Sequence, residues 1–495
     1  MAVIKAREAF KRATSLLKGR LITPYQHDGV EWMLNRELNP GYHAGGFLCD
    51  EMGLGKTVQS IALMLGNPGK TLVVVPKSVT TQWKAEINKF APDLKVLIHD
   101  GVMRTKDPRD FDNFDVVVTS YSLLVERGMP KNTMTVLHKI GWHRIMLDEG
   151  HEIRNSSSKV SASAKNLRGL NRWIITGTPV FNSIKDFISM CEFMGIDKSI
   201  VQGMSGEIRE KYILRRTKDD VAKFNKRLEL PPCDFQNVEL DMFPEEQKLY
   251  AQVFDESRGI VKDIFKNSEN VAMHMMHILE CFLRCRQAMI HPQMYLDGHA
   301  KKNDLDPEMW THPVRKMTYI LESVKSHPTE KSLIFSQFMG EMEAMHEMFY
   351  EEGIRVFRID GSVCQDRRTR QIAEFRKFDK PCVFIIQIKA GGVGLNLQEA
   401  TRVYITAPAW NPATELQAIG RSHRTGQTNK VVVKKLFYKG DEDVHSIEET
   451  IMALQNHKST VCAEVLNDPR ILESIPSPGK GGGGVTIRDL GKIFA

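Results

Sequence analysis

Short runs of Val, Ile and Leu alternate along this chain with longer stretches whose apolar residues recur at helical spacing. In the first half, Thr71–Val75, Asp115–Thr119, Arg144–Leu147 and Trp173–Thr176 predict buried strands. Thr57–Leu65 carries Val58, Ile61, Ala62 and Leu65 on one stripe and predicts a helix, stopped by Gly66-Asn67-Pro68-Gly69. The alternation resumes beyond residue 310, with strands at Ser332–Phe335, Arg355–Ile359, Cys382–Ile386 and Arg402–Thr406 and helices at Gly340–Glu352 and Gln365–Phe378. Between the halves, Glu245–Met289 has helical periodicity and no strand-like run. Strands alternating with helices imply parallel sheets flanked by helices. The predicted fold class is therefore α/β, with two parallel-sheet lobes in tandem and a helical protrusion between them. The predicted boundaries are 1–230 for the first lobe, 231–310 for the protrusion, 311–475 for the second lobe, and 476–495 for a Gly-rich linker and tail.

Composition narrows the class only modestly. A chain of 495 residues, 42% hydrophobic and 26% charged, is a globular rather than a disordered one. The 68 Lys and Arg against 61 Asp and Glu leave +7, which permits a nucleic-acid partner without requiring one. No apolar run approaches the ~18 residues that cross a bilayer, and the opening Met1–Phe10 lacks the apolar stretch of a secretory signal. The 8 cysteines are scattered without a C-x-x-C pair, so an intracellular, reduced setting is expected. His274, His277, Cys281 and Cys285 share a helical stripe. On a straight helix they spread over ~16 Å, too far to enclose a tetrahedral ion. A packed core stripe is the expectation.

Chemistry concentrates in a few places. Asp50-Glu-Met-Gly-Leu-Gly-Lys-Thr57 follows a predicted strand, Gly46–Cys49, and opens a helix. Gly53 and Gly55 let backbone N–H groups curl around phosphate oxygens, Lys56 suits the β- and γ-phosphates, and the Thr57 hydroxyl suits Mg²⁺. The strict pattern G-x-x-x-x-G-K-[ST] is missed at its first position, where Asp50 stands, and by itself the segment also fits a helix-capping turn. Arg144–Leu147 runs into Asp148-Glu149-Gly150-His151, two carboxylates at the end of a buried strand. Such a pair is costly without a cation. Asp148 suits Mg²⁺ and Glu149 suits the attacking water, while an exposed acidic strand end is the bland alternative. In the second lobe, Asn411-Pro412 predicts a helix start, after which Gln417, Arg421 and Arg424 fall on one helical face until Thr425-Gly426. Two such arginines suit charge on a transferring γ-phosphoryl group, or else a solvated basic face.

In order along the chain, these motifs resemble the SWI/SNF-type DNA-dependent ATPases of helicase superfamily two. Leu21-Ile-Thr-Pro-Tyr-Gln26 with Gly29–Met33 resembles that family's adenine-reading segment. Asp50–Thr57 resembles motif I, Val74–Lys77 with Gln82-Trp83 motif Ia, and Thr119-Ser-Tyr121 motif Ib. Asp148–His151 resembles motif II, Thr176–Pro179 motif III, Ile334–Phe338 motif IV, Lys389–Asn396 motif V and Gln417–Gln427 motif VI. Leu214-Arg-Arg-Thr-Lys218, Arg286-Gln-Ala288 with His291-Pro292, Asp360-Gly-Ser362 and Trp410-Asn-Pro412 resemble its spacers. Thr486–Leu490 with Ile493-Phe494 is similar to the closing segment of the post-replication-repair and transcription-termination branch. Phe181 stands where many relatives carry Gln, Ala409 replaces the first of a tryptophan pair, and Gly150 is a motif II variant. The scattered cysteines leave no RING insert.

The resemblance implies two RecA-like lobes. ATP and Mg²⁺ are contacted by Gln26, Gly53, Gly55, Lys56, Thr57, Asp148, Glu149 and Gln417, and Arg421 and Arg424 complete the catalytic set. It implies phosphate contacts with double-stranded DNA from Lys77, Ser120, Ser336, Lys389, Gly391, Gly392 and Asn396, and coupling through His151 and Thr176. The function so implied is an ATP-dependent duplex translocase, a bare monomeric motor that displaces or remodels nucleosomes or other DNA-bound proteins. Its setting is the nucleus in a eukaryote, or a virion or replication site for a virus. A strand-separating DNA or RNA helicase and an ATP-gated DNA-binding scaffold remain open on the same motifs.

Overall fold

The structure, a computed structural model, describes residues 2–39, 41, 43–101, 104–126, 128, 134–177, 184–203, 205–224, 230–267, 274–389, 396–424, 426–440, 444–466 and 494. It divides into two compact units, Met1–Glu229 with Val461–Asp468, and Leu230–Thr460 with Pro469–Ala495.

The first unit is built on strands β1 (Gly45–Leu48), β2 (Thr71–Val75), β3 (Val96–His99), β4 (Val116–Ser120), β5 (Trp142–Asp148), β6 (Gly169–Ile175) and β7 (Ile213–Leu214). They form one sheet in the order β3-β4-β2-β5-β6-β1-β7, every described pair parallel. Parallel strands buried on both faces read as unbroken apolar runs, which is why Thr-Leu-Val-Val-Val is wholly buried in β2. One face packs on the helices Ala2–Leu16, Tyr25–Leu38, Lys56–Gly66 and Thr80–Phe90 through Val30, Leu34, Ile61, Val73, Val118 and Trp173.

The second unit holds β8 (Cys233–Leu240), β9 (Lys331–Ser336), β10 (Arg355–Ile359), β11 (Cys382–Gln387), β12 (Ala400–Ile405) and β13 (Val431–Tyr438), in the order β10-β11-β9-β12-β13-β8, again parallel. The helical segment appears as Pro244–Asn267, Met275–Ile290 and Pro292–Asn303, and its Val253, Phe254, Ile278 and Phe282 share a core with Ile334, Met345 and Tyr404 of this unit. Cys281 and Cys285 lie in that core. Phe494 is buried there too, its ring 5.3 Å from Phe254 and 5.0 Å from Phe282.

The helix predicted to carry Gln417, Arg421 and Arg424 on one face is shorter than its spacing suggested. Asn411 caps it, accepting from the Ala413 N–H at 3.1 Å with Pro412 at the first position, but it ends at Ile419 with Gly420 as its cap. Glycine carries the highest backbone entropy cost in a helix. Arg421 and Arg424 therefore sit in the turns that follow.

His99, on β3, is buried against the Phe111 ring at 5.4 Å. Burial, helped by Arg104 and opposed by Asp100, pulls its pKa from 6.5 down to about 4. The neutral ring belongs to the fold, so its contribution is complete above pH 6.5 and is lost as pH falls through about 4. Thermal melting followed across that window is expected to show the first unit's midpoint falling with pH, with a shallower slope in a His99→Gln variant. An identical slope would remove His99 from the cause.

Candidate nucleotide and nucleic-acid site

The phosphate loop leaves the C-terminal end of β1, two strands from β5. Leu48 and Asp148 both pair with Ile175 of the intervening β6, so the three strand ends are level. Ligands of open parallel sheets bind at such carboxyl ends. Gly53 and Gly55 have φ of +91° and +75°, values that L side chains rarely adopt, and Gly55 turns the chain directly into the helix Lys56–Gly66. Thr57 lies in the first turn of that helix, where the opening N–H groups have no partner within the helix itself and suit an anion.

Lys56 donates from Nζ to the backbone carbonyls of Asp50 at 2.8 Å and Glu51 at 3.3 Å. Burial lowers its pKa, while the carboxylates of Glu149, Asp50 and Asp148 push it back up. A Cβ added at Gly177, just after β6, would lie 2.8 Å from Lys56 Nζ and 2.6 Å from the Met52 side chain. Gly177 thus lies so near the loop that a side chain there would force Met52 and Lys56 to shift.

Asp148 ends β5, half-buried. Burial first, then the Glu149 charge, raises its pKa from 3.8 to about 6, opposed by Trp83 and Lys56. Trp83 Nε1 donates to its Oδ2 at 2.7 Å, and the Tyr121 hydroxyl donates to its backbone oxygen at 2.7 Å. Burial and the nearby acids hold the Tyr121 phenol well above its usual range, so it stays a donor. Glu149 occupies the left-handed region at φ +52°, a strained position for a residue with a Cβ. His151 Nδ1 lies 3.4 Å from Glu149 Oε2, and the Thr176 hydroxyl reaches the same oxygen at 3.5 Å, the outer limit of a hydrogen bond.

Gln26 is only 3% exposed. Its Oε1 accepts the Ile22 N–H at 2.7 Å, and its Nε2 donates to the Leu54 carbonyl at 3.2 Å and the Tyr25 hydroxyl at 3.1 Å. The predicted adenine-reading residue is therefore fastened to the phosphate loop itself.

Of the predicted DNA contacts, Lys77 and Ser120 fall at carboxyl strand ends of the first unit, and Ser336 and Lys389 at those of the second. Lys77 is exposed just beyond β2, beside Ser120 at the end of the neighbouring β4. Ser120 is buried with its hydroxyl 3.0 Å from that of Ser122. In the second unit Lys389 is exposed beyond β11, next to Ser336 at the end of β9. Ser336 is fully buried and donates to Glu341 and, at 3.1 Å, to the Phe338 carbonyl. Neither serine turns its hydroxyl outward. Asn396 is half-buried, its carbonyl accepting from Arg376 at 2.7 Å, and Gly391 and Gly392 lie outside the described residues. The motif VI turn is knitted to this segment: the Leu397 N–H donates to the Arg421 carbonyl at 2.9 Å, Gln398 Nε2 to the Arg424 carbonyl at 3.2 Å, and the Ser422 hydroxyl to the Ala400 carbonyl at 2.5 Å. Gln417 sits on the short helix that precedes it.

Trp83, Tyr121 and Arg216 escaped the sequence reading as site residues although each stands inside a motif it quoted. For Tyr121, an aromatic with a polar tip directly after a buried strand was the available signal. Among the described residues no three His, Cys, Asp or Glu converge as a metal group. A magnesium ion shared with phosphates needs only one or two carboxylates, so Asp148 with the Thr57 hydroxyl, both hard oxygen donors, fits it. Among the described residues no helix is long and apolar enough to cross a membrane.

Comparison with known proteins identifies the family. The SNF2-related domain family matches residues 25–202 and 197–294, and the helicase conserved C-terminal domain matches 315–426. A probable global transactivator of Orgyia pseudotsugata multicapsid polyhedrosis virus is 30% identical over 90% of this chain and 91% of its own length. The ISWI chromatin-remodeling complex ATPase ISW1 of Saccharomyces cerevisiae is 28% identical over 91% of this chain and 41% of its own length. Among solved structures, the Sulfolobus solfataricus SWI2/SNF2 ATPase core in complex with dsDNA is 27% identical, covering 92% of this chain and 96% of that one at a TM-score of 0.40. The chain spans less than half the length of several relatives it matches. The chain belongs to the SWI/SNF-type, helicase-like ATPases that carry an SNF2-related domain and a helicase conserved C-terminal domain.

Proposed function

We propose that this chain hydrolyses ATP to move along double-stranded DNA and so displaces or remodels protein bound there, nucleosomes included. The observation that carries the reading is the direct bonding of Trp83 and Tyr121 to Asp148. Trp83 sits on the helix that follows the Lys77 turn, and Tyr121 follows Ser120, so the segments expected to meet DNA hold a hydrolytic carboxylate. Phosphate contacts carry no base identity, which suits a motor that accepts any sequence. The name of the yeast relative supports remodelling as the output.

In this reading Lys56, Gly53, Gly55 and the helix N-terminus hold the ATP phosphates, and Gln26 and Gln417 orient the base. Thr57 and Asp148 would hold Mg²⁺, which neutralises phosphate charge when bound. Glu149 orients the attacking water and takes its proton, with His151 and Thr176 fixing its carboxylate. Arg421 and Arg424 would offset charge on the γ-phosphoryl group. Lys77, Lys389, Gly391, Gly392 and Asn396 engage the duplex backbone. Ser120 and Ser336 shape the strand ends that carry those contacts. The motor acts as a single chain inside a cell, in the nucleus of a eukaryotic host or at the replication site of a virus.

Steady-state ATP hydrolysis is expected to be stimulated most by duplex DNA, with an affinity for DNA that falls steeply with salt. Stronger stimulation by single strands or RNA would replace the translocase with a helicase. DNA binding without hydrolysis under any condition would leave an ATP-gated scaffold.

A further inference from the structure

Asp50 occupies the position where the strict phosphate-loop pattern has glycine, and its surroundings give that departure a use. The carboxylate is fully buried. Its Oδ1 accepts from Arg216 Nε at 2.9 Å, and its Oδ2 accepts from an Arg216 terminal nitrogen at 2.5 Å and from Gln59 Nε2 at 3.1 Å. The same guanidinium donates to Gln59 Oε1 at 3.0 Å and to the Tyr25 carbonyl, and lies over the Tyr25 ring at 5.4 Å. The Arg216 carbonyl in turn accepts the Glu51 N–H at 2.9 Å. One residue away, the Asp50 carbonyl accepts Lys56 Nζ.

This cluster joins four stretches of chain: the helix bearing Tyr25 and Gln26, the phosphate loop, the helix that begins at Lys56, and the segment after β7. Gly29 makes room for it. A Cβ there would lie 2.0 Å from Gln59 Oε1 and 2.7 Å from an Arg216 nitrogen. Mid-helix glycine is ordinarily a destabilising choice, so its presence between Tyr25 and Leu38 is explained by the guanidinium it admits. A bidentate carboxylate–guanidinium fork fixes orientation as well as distance.

We propose that Asp50 and Arg216 form a positioning pair for nucleotide binding, setting the carbonyl that holds Lys56 and the distance between the loop and Gln26, so that the pair governs ATP affinity rather than the hydrolytic step. Neither residue is a catalytic residue. The inference rests on the ATP-site reading above. A glycine at position 50 would leave the loop its curvature and free it from the other three stretches.

The test is ATP hydrolysis and equilibrium ATP binding by the whole chain, with thermal melting measured alongside. Asp50→Asn, Arg216→Gln and Gly29→Ala are each expected to raise KM for ATP and weaken ATP binding by about tenfold or more, with kcat within about threefold. The double Asp50→Asn/Arg216→Gln variant should be no worse than the poorer single one, as for partners in one interaction. Arg216→Lys, which keeps the charge and loses the fork, should recover part of the loss. A lowered melting temperature with KM unchanged overturns the proposal in favour of a purely structural pair. A fall in kcat with KM unchanged overturns it in favour of a role in chemistry. Wild-type protein that neither binds nor hydrolyses ATP removes the site reading itself, an outcome separate from active wild type with unaltered variants.

Discussion

Glu149→Gln is expected to lower kcat for ATP hydrolysis by about 10²–10⁴-fold, the contribution of a positioned general base. The substitution keeps the side-chain shape, so the strained φ of +52° at this position is unchanged and the Thr176 hydroxyl and His151 ring keep an oxygen to face. What disappears is the capacity to take a proton. The loss cannot be traced to Asp148, because the Glu149 charge is one of the causes that raise the Asp148 pKa to about 6, and removing it lets Asp148 ionise more readily. Nor should binding suffer much, since Lys56 keeps its bonds to the loop carbonyls and the Asp50 and Asp148 charges beside it. KM for ATP should therefore stay within about threefold, the signature of an interaction made only in the transition state. Rapid-quench hydrolysis with saturating duplex DNA measures this. Activity within tenfold of wild type would move the base to another group.

The sheets were legible where burial on both faces forces an apolar run. Thr71–Val75 and Arg355–Ile359 occupy their predicted bounds, and the strands carrying Asp148, Ser336 and Cys382 differ only at their ends. The strands without a prediction have short or interrupted runs. β3 is four residues with a half-exposed middle, and β8 is an edge strand whose residues are mostly half-exposed. In β13 two lysines interrupt Val-Val-Val and Leu-Phe-Tyr. Lys435 is nonetheless buried, paired with Glu415 at 3.2 Å and with Gln455 at 3.3 Å, a long-range partnership that no local pattern announces.

The same division governs the site. Loop glycines, Lys56 and the Asp148-Glu149 pair are dictated by local chemistry and stand in consecutive letters. Their supports come from afar: Trp83 is 65 residues from Asp148, and Arg216 is 166 from Asp50. A residue that matters by whom it touches is invisible until the sheet order brings β7 beside β1. Gly420 shows the converse error, since four-and-three spacing suggested one helical face for Arg421 and Arg424 where a single glycine ends the helix.

Arg144 carries the largest expected effect on stability. It opens the apolar stretch of β5, yet its side chain and that of Glu37 are both fully buried. Arg144 Nε donates to Glu37 Oε1 at 2.5 Å and a terminal nitrogen donates to Oε2, with further bonds to the Thr71 hydroxyl at 3.0 Å and the Asn67 carbonyl at 2.8 Å. Glu37 also accepts from Trp173 Nε1 at 2.8 Å and Asn67 Nδ2 at 2.8 Å. Every polar atom of the pair is used, so the desolvation of two charges is offset only while both are present. Arg144→Met strands a carboxylate beneath the sheet and should cost about 3–5 kcal/mol, a large part of the ~5–15 kcal/mol that holds a domain together. Glu37→Gln should cost a similar amount by stranding the guanidinium. The double variant should recover at least ~1 kcal/mol of the summed loss, because neither charge is then left alone. Denaturant unfolding of the first unit's transition measures all three. Arg144 and Asp148 are four residues apart on one strand, ~13 Å, so the folded fraction of each variant should keep its KM for ATP. Additive losses in the double variant would mean that the two side chains stabilise the fold separately, through Thr71 and Trp173, and that their charge pairing contributes nothing.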